Sequence, residues 1–470
     1  MARKWWTLTA VVAGVFMLVL DITIVNVALP DIGSDFDSSL SDLQWVIDAY
    51  ALALAAGLLT GGSLADLWGR RRLYAVGTAV FTAGSLLCGL ATGPLFLSLA
   101  RAGQGAGGAV VWATSLALLS EAFQGRERGL AFGVYGGVLG IAVAVGPVLG
   151  GAITSGLSWR WIFWVNVPIG AAVVAVTLLR LAESRDPAAA SPDWPGFAVF
   201  GAALTLLLYG LISASDGWSQ PKVWAALAAA AVLLAAFPLL ERRRAHPMLD
   251  LSLFRKPTFN GGLVAAFGLN ASIYALITYL VLYLQQQLHF SPAQAGLRLL
   301  ALTGAMFVAS TTAGRLSSAV PVKVMISAGF VLVAVGIALM SGVTDSSRWT
   351  HLLAGMIVSG AGAGMVTVPL ASTAVGVVVP ARAGAASGVN ATARQVGLAT
   401  AIAVLGTVFT SRADQHGFAS GLNLILWIGA GVAAVSAVLS AVLIRQKDFV
   451  PPPSRPAPAE PAARPEAAGR

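Results

Sequence analysis

Few residues in this chain could do chemistry, and where they stand is informative. Asp21 lies in Leu20-Asp21-Ile22-Thr23-Ile24-Val25-Asn26, behind an apolar stretch that begins at Thr7. Coiled as a helix, that stretch is about 21 Å long. An ionisable group so deep in an apolar helix is a functional candidate by default, and a carboxyl there can take a proton from one side and surrender it to the other. The competing reading is a structural aspartate bonded to Thr23, Asn26 or a neighbouring helix; the rarity of acids in such helices favours the proton. Arg101 shares a helical face with Gln104, three residues on. It is either the counter-charge of Asp21 or an arginine snorkelling to the headgroups, since Pro94 opens its helix only about 10 Å away. Arg394 and Gln395 either line a cavity or tie two helices together. No Asp or Glu occurs in any apolar run after residue 259, so a charge-binding cavity would be cationic in its second half.

Glycines frame two further motifs. Gly62-Ser63-Leu64-Ala65-Asp66-Leu67-Trp68-Gly69-Arg70-Arg71-Arg72 joins two apolar runs. Asp66 there can accept from a helix N-terminus and Arg70 can pair with acids or lipid phosphates, a contact that would act as a latch in one conformation only. Farther on, Gly136-Gly137, Gly140 and Gly146-Pro147-Val148-Leu149-Gly150-Gly151 share one run. Pro147 removes an internal hydrogen bond and kinks the helix, while the glycines let neighbours approach closely. Gly103-x-Gly105-x-x-Gly108 has the spacing of a dinucleotide fingerprint but no preceding strand, so it reads as packing. A single cysteine (Cys88), four scattered histidines and the lack of a Walker A sequence point away from metal sites, cofactors and ATP hydrolysis.

The elements that must position these residues follow from composition. The 470 residues are 57% hydrophobic and 10% charged, against about 25% charged in soluble domains. Such a chain is an all-α polytopic membrane protein. Apolar runs fall at 7–29, 43–64, 73–91, 95–119, 129–153, 161–181, 197–213, 223–240, 260–284, 293–314, 323–341, 351–378, 387–410 and 422–444, which predicts 14 transmembrane helices. With the N-terminus inside, inner segments hold 22 Lys and Arg and outer loops four, so both termini are expected in the cytoplasm. The net charge of +9 is therefore a topology signal and not a nucleic-acid surface. Six runs precede the 186–258 region, two lie within it and six follow. This predicts a six-helix bundle over 1–185, a two-span insert with a basic inner loop over 186–258, a second bundle over 259–447 and a disordered tail over 448–470. Gly62-x-Leu64…Arg70 is weakly echoed by Gly314-Arg315-Leu316…Lys323, as an internal repeat would require.

Together these segments resemble the major facilitator superfamily, and within it the fourteen-spanner drug:proton antiporters (EmrB/QacA type). Leu20 to Pro30 is similar to the family's span-1 motif, and Arg101-x-x-Gln104-Gly105 to its span-4 motif. Gly62 to Arg72 is similar to the inner-loop signature, with Leu67 where a basic residue is usual. Gly146-Pro147-x-x-Gly150-Gly151 resembles the antiporter motif, with Ala142 in place of its first glycine. Trp159 to Phe163, Asn166 to Gly170 and His246 to Leu251 are also family-like.

The resemblance implies two six-helix bundles around a central cavity, alternating access and proton-driven export across a bacterial cytoplasmic membrane. It assigns proton coupling to Asp21 and Arg101, and the conformational latch to Asp66, Gly69 and Arg70. Gly146, Pro147, Gly150 and Gly151 would form the antiporter helix. Asn26, Gln104, Arg394 and Gln395 are expected in the substrate cavity. The implied partners are protons, the lipid bilayer and a small amphipathic organic substrate, handled by a monomer. With its only deep acid in the first half, the chain is expected to prefer neutral or anionic substrates to dications. A dedicated exporter of one endogenous product and a transport-inactive sensor are the alternatives.

Overall fold

The computed structural model describes residues 3–185, 191–214, 217–244, 247–317, 319–379 and 382–449. Its helices lie on the predicted apolar runs, and several, such as those over Arg3–Phe36, Leu40–Trp68 and Ala383–His416, outgrow them by a turn or more because helix propensity continues past the apolar stretch into polar residues. α1 is Arg3–Phe36, α2 Leu40–Trp68, α3 Arg70–Gly89, α4 Pro94–Ala122 and α5 Gly125–Gly156. α6 comprises Trp161–Trp164 and Asn166–Arg180, α7 is Trp194–Ser213 and α8 Pro221–Glu241. α9 runs over Pro257–Gln287, α10 is Pro292–Leu316, α11 Val322–Met340, α12 Thr350–Gly376, α13 Ala383–His416 and α14 Phe418–Leu443. Among the described residues, eleven helices are long and apolar enough to cross a membrane, or twelve with the bent α5 counted as one span; α3 and α4 are not among them.

Local chemistry sets the ends. Pro94, Pro221, Pro257 and Pro292 open their helices, where the missing N–H costs nothing. Ser39 with Asp42 and Ser291 with Gln294 form capping boxes. Gly69 lies between α2 and α3 at φ +105°, a conformation that favours glycine. α1 continues through Pro30 to Phe36, so the first outer loop is much shorter than the gap between the predicted runs 7–29 and 43–64. Asp35 anchors the added turn by accepting from Arg160 Nη1 (2.8 Å) and Trp159 Nε1 (3.2 Å). Asp448 and Phe449 also depart from expectation. Asp448 Oδ2 accepts from the Thr258 hydroxyl (2.7 Å) and amide (3.2 Å), and Phe449 packs on the core, so both belong to the folded body. The remainder of the predicted tail lies outside the described residues.

α2 packs on α4, α3 on α4, and α1 on α5 and α6; α11 packs on α12 and α14, and α9 on α13 and α14. Between the two sets, α5 lies against α10 and α2 against α13. α7 and α8 form a hairpin on the α2–α13 seam, where Leu52, Ala55, Leu208, Leu211, Val223 and Ala403 share one apolar cluster. Outward-facing Leu95, Leu99, Leu179, Val232 and Val308 are at least 65% exposed. Such an apolar rim belongs in lipid.

The two contacts between the sets mirror each other. A Cβ on Gly62 of α2 would collide with the carbonyl of Gly384 in α13, and one on Gly384 with the carbonyl of Gly62. Gly314 of α10 and Gly129 of α5 exclude a Cβ from each other in the same way. The pairing joins the second helix of each half to the fifth helix of the other, as the Gly62–Gly314 echo requires. Overpacking such a contact costs typically ~1–3 kcal/mol. Gly62→Leu or Gly129→Leu should therefore part the bundles at this end. In a Cys88→Ser background carrying Ser387→Cys, either change should speed thiol labelling of position 387 several-fold. Unchanged labelling in both would show that these contacts do not close the molecule.

Candidate functional site

Asp21 is wholly buried, and four helices build its surroundings. From α4, Arg101 Nη1 donates to Asp21 Oδ2 at 2.5 Å and Gln104 Nε2 to Asp21 Oδ1 at 2.8 Å. From α6, Asn166 Nδ2 donates to Asp21 Oδ1 (3.2 Å) and to Ser85 Oγ of α3 (3.0 Å). The guanidinium is itself held on several sides. Nη1 also donates to Gln104 Oε1 (2.7 Å), Nε donates to the Val46 carbonyl of α2 (3.1 Å), and the Tyr50 ring lies 4.1 Å from the guanidinium carbon. Arg101 is 1% exposed, so it pairs with Asp21 and does not snorkel.

Sequence reasoning read Asn166 only as part of a family-like segment, with no role at Asp21, and missed Ser85 and Tyr50. Asn166 reaches the pair because α6 breaks at Val165. Pro168 has no N–H to return to the Trp164 carbonyl, which loosens the helix just there. Glycines admit the neighbours: Gly84 lies against the Gln104 backbone, Gly105 against the Tyr50 carbonyl, and Gly146 of α5 against the Thr23 side chain. Gly150 likewise meets Ile24 and Val27, whereas a Cβ on Gly151 would meet open space. The segments Glu127–Val143 and Val148–Gly156 of α5 meet at 43°.

The inner-loop motif is assembled as one unit. Arg70 Nε and Nη2 both donate to Asp66 Oδ1, at 3.0 and 2.8 Å. Asp66 in turn accepts from the Gly384 amide (Oδ1, 3.0 Å) and the Ala385 amide (Oδ2, 3.0 Å), the first N–H groups of α13. Helix N-terminal amides carry partial positive charge, so the carboxylate binds two helices across the bundle contact. Glu183, another unforeseen residue, accepts from the Arg71 amide (3.0 Å) and fills the space above Gly69.

The residues expected in a substrate cavity do not gather. Gln104 belongs to the Asp21 cluster. Asn26 is exposed and donates to its own helix at the Ile22 carbonyl (3.0 Å). Arg394 is buried and its Nε donates to Asn390 Oδ1 (3.2 Å) in the same helix, with the partly buried Gln395 beside it.

A family model described as Major Facilitator Superfamily matches residues 11–401 and 262–468. The chain belongs to that superfamily. Membership makes it a transporter and not an enzyme, in accord with the resemblance read from its motifs. It is 36% identical over 407 residues to "Multidrug resistance protein Stp" of Mycobacterium tuberculosis, covering 86% of this chain and 76% of that one. It is 36% identical over 460 residues to "Puromycin resistance protein pur8" of Streptomyces alboniger, covering 94% and 92%. It is 35% identical over 420 residues to the "Tetracenomycin C resistance and export protein" of Streptomyces glaucescens, covering 87% and 77%. The fold matches the crystal structure of the human organic anion transporter MFSD10 (TETRAN) with a TM-score of 0.67 at 14% identity, over 94% of this chain and all of that one.

Removing one member of a buried ion pair costs ~3–5 kcal/mol, whereas replacing both by apolar groups of similar size is often neutral. Arg101→Met should therefore lower the thermal midpoint of the purified protein markedly, and Asp21→Leu combined with Arg101→Met should recover most of the loss. A double variant no more stable than the single one would refute the pairing.

Proposed function

We propose that this chain is a proton-coupled antiporter that exports amphipathic drugs or antibiotics across the bacterial cytoplasmic membrane by alternating access. The observation that carries this reading is the Asp21–Arg101 pair, sealed inside the first bundle. Protonation of Asp21 cancels the attraction that draws α1 to α4, so proton occupancy biases how α1, α4 and α6 pack. α1 passes that bias to α5 through Thr23 and Gly146. Asp66, Gly69 and Arg70 form the latch, which holds α2 to the start of α13 when the end bearing Arg70–Arg72 is shut. By the lysine and arginine distribution that end is cytoplasmic, as are both termini, so this conformation is closed to the cytoplasm.

The topology has fourteen spans, α3 and α4 included, in two six-helix bundles (1–185 and 259–447) with α7 and α8 as the insert. The working unit is the monomer. The substrate enters between the bundles, where Arg394 and Gln395 face it from the second half. A dedicated exporter of one natural product is the second reading, favoured because two of the three relatives above carry the name of a single compound.

A neutral substrate exchanged for one proton can be concentrated about 50-fold by a 100 mV potential, which is worth ~2.3 kcal/mol per charge. In proteoliposomes, wild type should build such a gradient of a neutral amphiphile and move protons the other way. Asp21→Asn should bring the concentration ratio to one. Gradient-driven transport by Asp21→Asn at the wild-type level would overturn proton coupling through this residue.

A further inference from the structure

A second polar cluster lies between the halves, and its hydrogen bonding is incomplete. Asn390 and Arg394 stand one turn apart on α13 and are 2% and 7% exposed. After the bond from Arg394 Nε to Asn390 Oδ1, Arg394 Nη2 and Asn390 Nδ2 are both left buried without a partner. From the other half, the Tyr135 hydroxyl of α5 is buried and unpartnered, within reach of the Arg394 charge. Tyr274 comes from α9, where the helix widens into a π turn at Asn270–Tyr274 that packs on α13. Its hydroxyl donates to the Met306 sulfur (3.5 Å), a weak acceptor. Arg394 makes no ion pair among the described residues, although the other deeply buried arginines, Arg70 and Arg101, both do.

A buried donor without a partner costs ~1–3 kcal/mol, and more when it is charged. Here two N–H groups and a hydroxyl contributed by both halves share that condition, and π turns inside helices frequently mark functional sites. What this group lacks is an acceptor, and a negatively charged one answers the charge as well. The aromatic rings of Tyr135 and Tyr274 offer an apolar wall beside the donors.

We infer that Arg394, Asn390 and Tyr135 form the recognition site for an anionic oxygen of the substrate: a carboxylate or an ionised phenol or enol on an otherwise aromatic, apolar body. The inference rests on the exporter reading and gives it a substrate class. Arg394 carries the charge, Asn390 and Tyr135 donate to the same oxygen or its neighbour, and the rings cover the carbon skeleton. Because Tyr135 belongs to one half and Arg394 to the other, such a substrate contacts both faces that alternating access must separate.

The test uses three fluorescent probes that share one skeleton: 1-pyrenebutyrate, its primary amide, and the corresponding pyrenylbutyl trimethylammonium. Binding to purified full-length protein should be tightest for the carboxylate. Arg394→Met should weaken the carboxylate by at least about tenfold and the amide by less than about twofold. Tyr135→Phe, which removes only the hydroxyl, should move the carboxylate in the same direction by a smaller factor. Equal binding of carboxylate and amide to wild type, tightest binding of the quaternary amine, or an equal loss of all three probes in Arg394→Met would each overturn the anion site. Proton-driven transport of the amide in proteoliposomes reads the exporter proposal separately. If wild type binds the carboxylate selectively but moves no probe against a gradient, that proposal fails while the anion site stands.

Discussion

One ion pair, kept dry, organises the packing of the first bundle. Two full charges in a low-dielectric interior persist only when the remaining lone pairs and N–H groups also find partners. Asp21 and Arg101 meet that demand by drawing on five helices: α1 and α4 for the pair itself, α2 for the Val46 carbonyl and Tyr50 ring, and α3 and α6 for the Ser85–Asn166 relay. Those helices can converge only where side chains are missing. Gly84, Gly105 and Gly146 are therefore part of the charge site although they carry no polar group. These three glycines serve electrostatics through packing.

The pair sets one scale and the latch another. Two glycine crossings, Gly62 with Gly384 and Gly129 with Gly314, bring the halves together almost symmetrically. The charge on them is not symmetric. Asp66 stands four residues after Gly62, whereas Ser318 stands four residues after Gly314. A carboxylate on helix amides contributes roughly 0.3–2 kcal/mol, and more with an arginine holding it. That is comparable to the ~2.3 kcal/mol a proton delivers per 100 mV. A second acid at the Gly129–Gly314 crossing would add to the energy needed to part the halves, so under the proposed cycle a single acid at one crossing keeps that energy low.

The sequence revealed what was rare and concealed what was common. Asp21, Arg101, Gln104, Asp66 and Arg70 were legible because charges and amides seldom interrupt apolar helices, and glycine framing singled out the inner loop. Asn166, Ser85, Tyr50 and Glu183 were not, since such residues sit in many helices without consequence and only the tertiary fold brings them to a charge. Asn26, expected in the substrate cavity, is exposed and bonds its own backbone, because which way an amide on an apolar helix faces is set by packing that sequence spacing does not show. Helix boundaries were blurred because hydropathy marks where lipid begins, not where the helix stops. The hairpin α7–α8 was visible as two apolar runs, but its seat on the α2–α13 seam was not.

The interior holds two kinds of arginine, and the difference constrains coupling. Arg101 is neutralised in place by Asp21, whereas Arg394 makes no ion pair among the described residues and keeps a buried N–H without a partner. Protonating Asp21 makes the interior one charge more positive. By charge alone, that would retain an anion rather than expel it. Exchange of a proton for an anion therefore needs a mechanical link between the sites and not competition for a shared charge. α5 is placed to be that link. Gly146 touches Thr23 two residues from Asp21, and Tyr135 on the same helix lies within reach of Arg394. The two points are eleven residues apart, about 16 Å along the helix, and Gly146 lies in the stretch between Val143 and Val148 where α5 bends by 43°. A stiff straight helix would transmit displacement at Thr23 whole, while a jointed one converts it to rotation of the segment that carries Tyr135. Rotation withdraws a hydroxyl donor from the anion without moving Arg394. Under the proposed proton-for-substrate exchange, this rotation is the route by which protonation inside one half would release a substrate held between both.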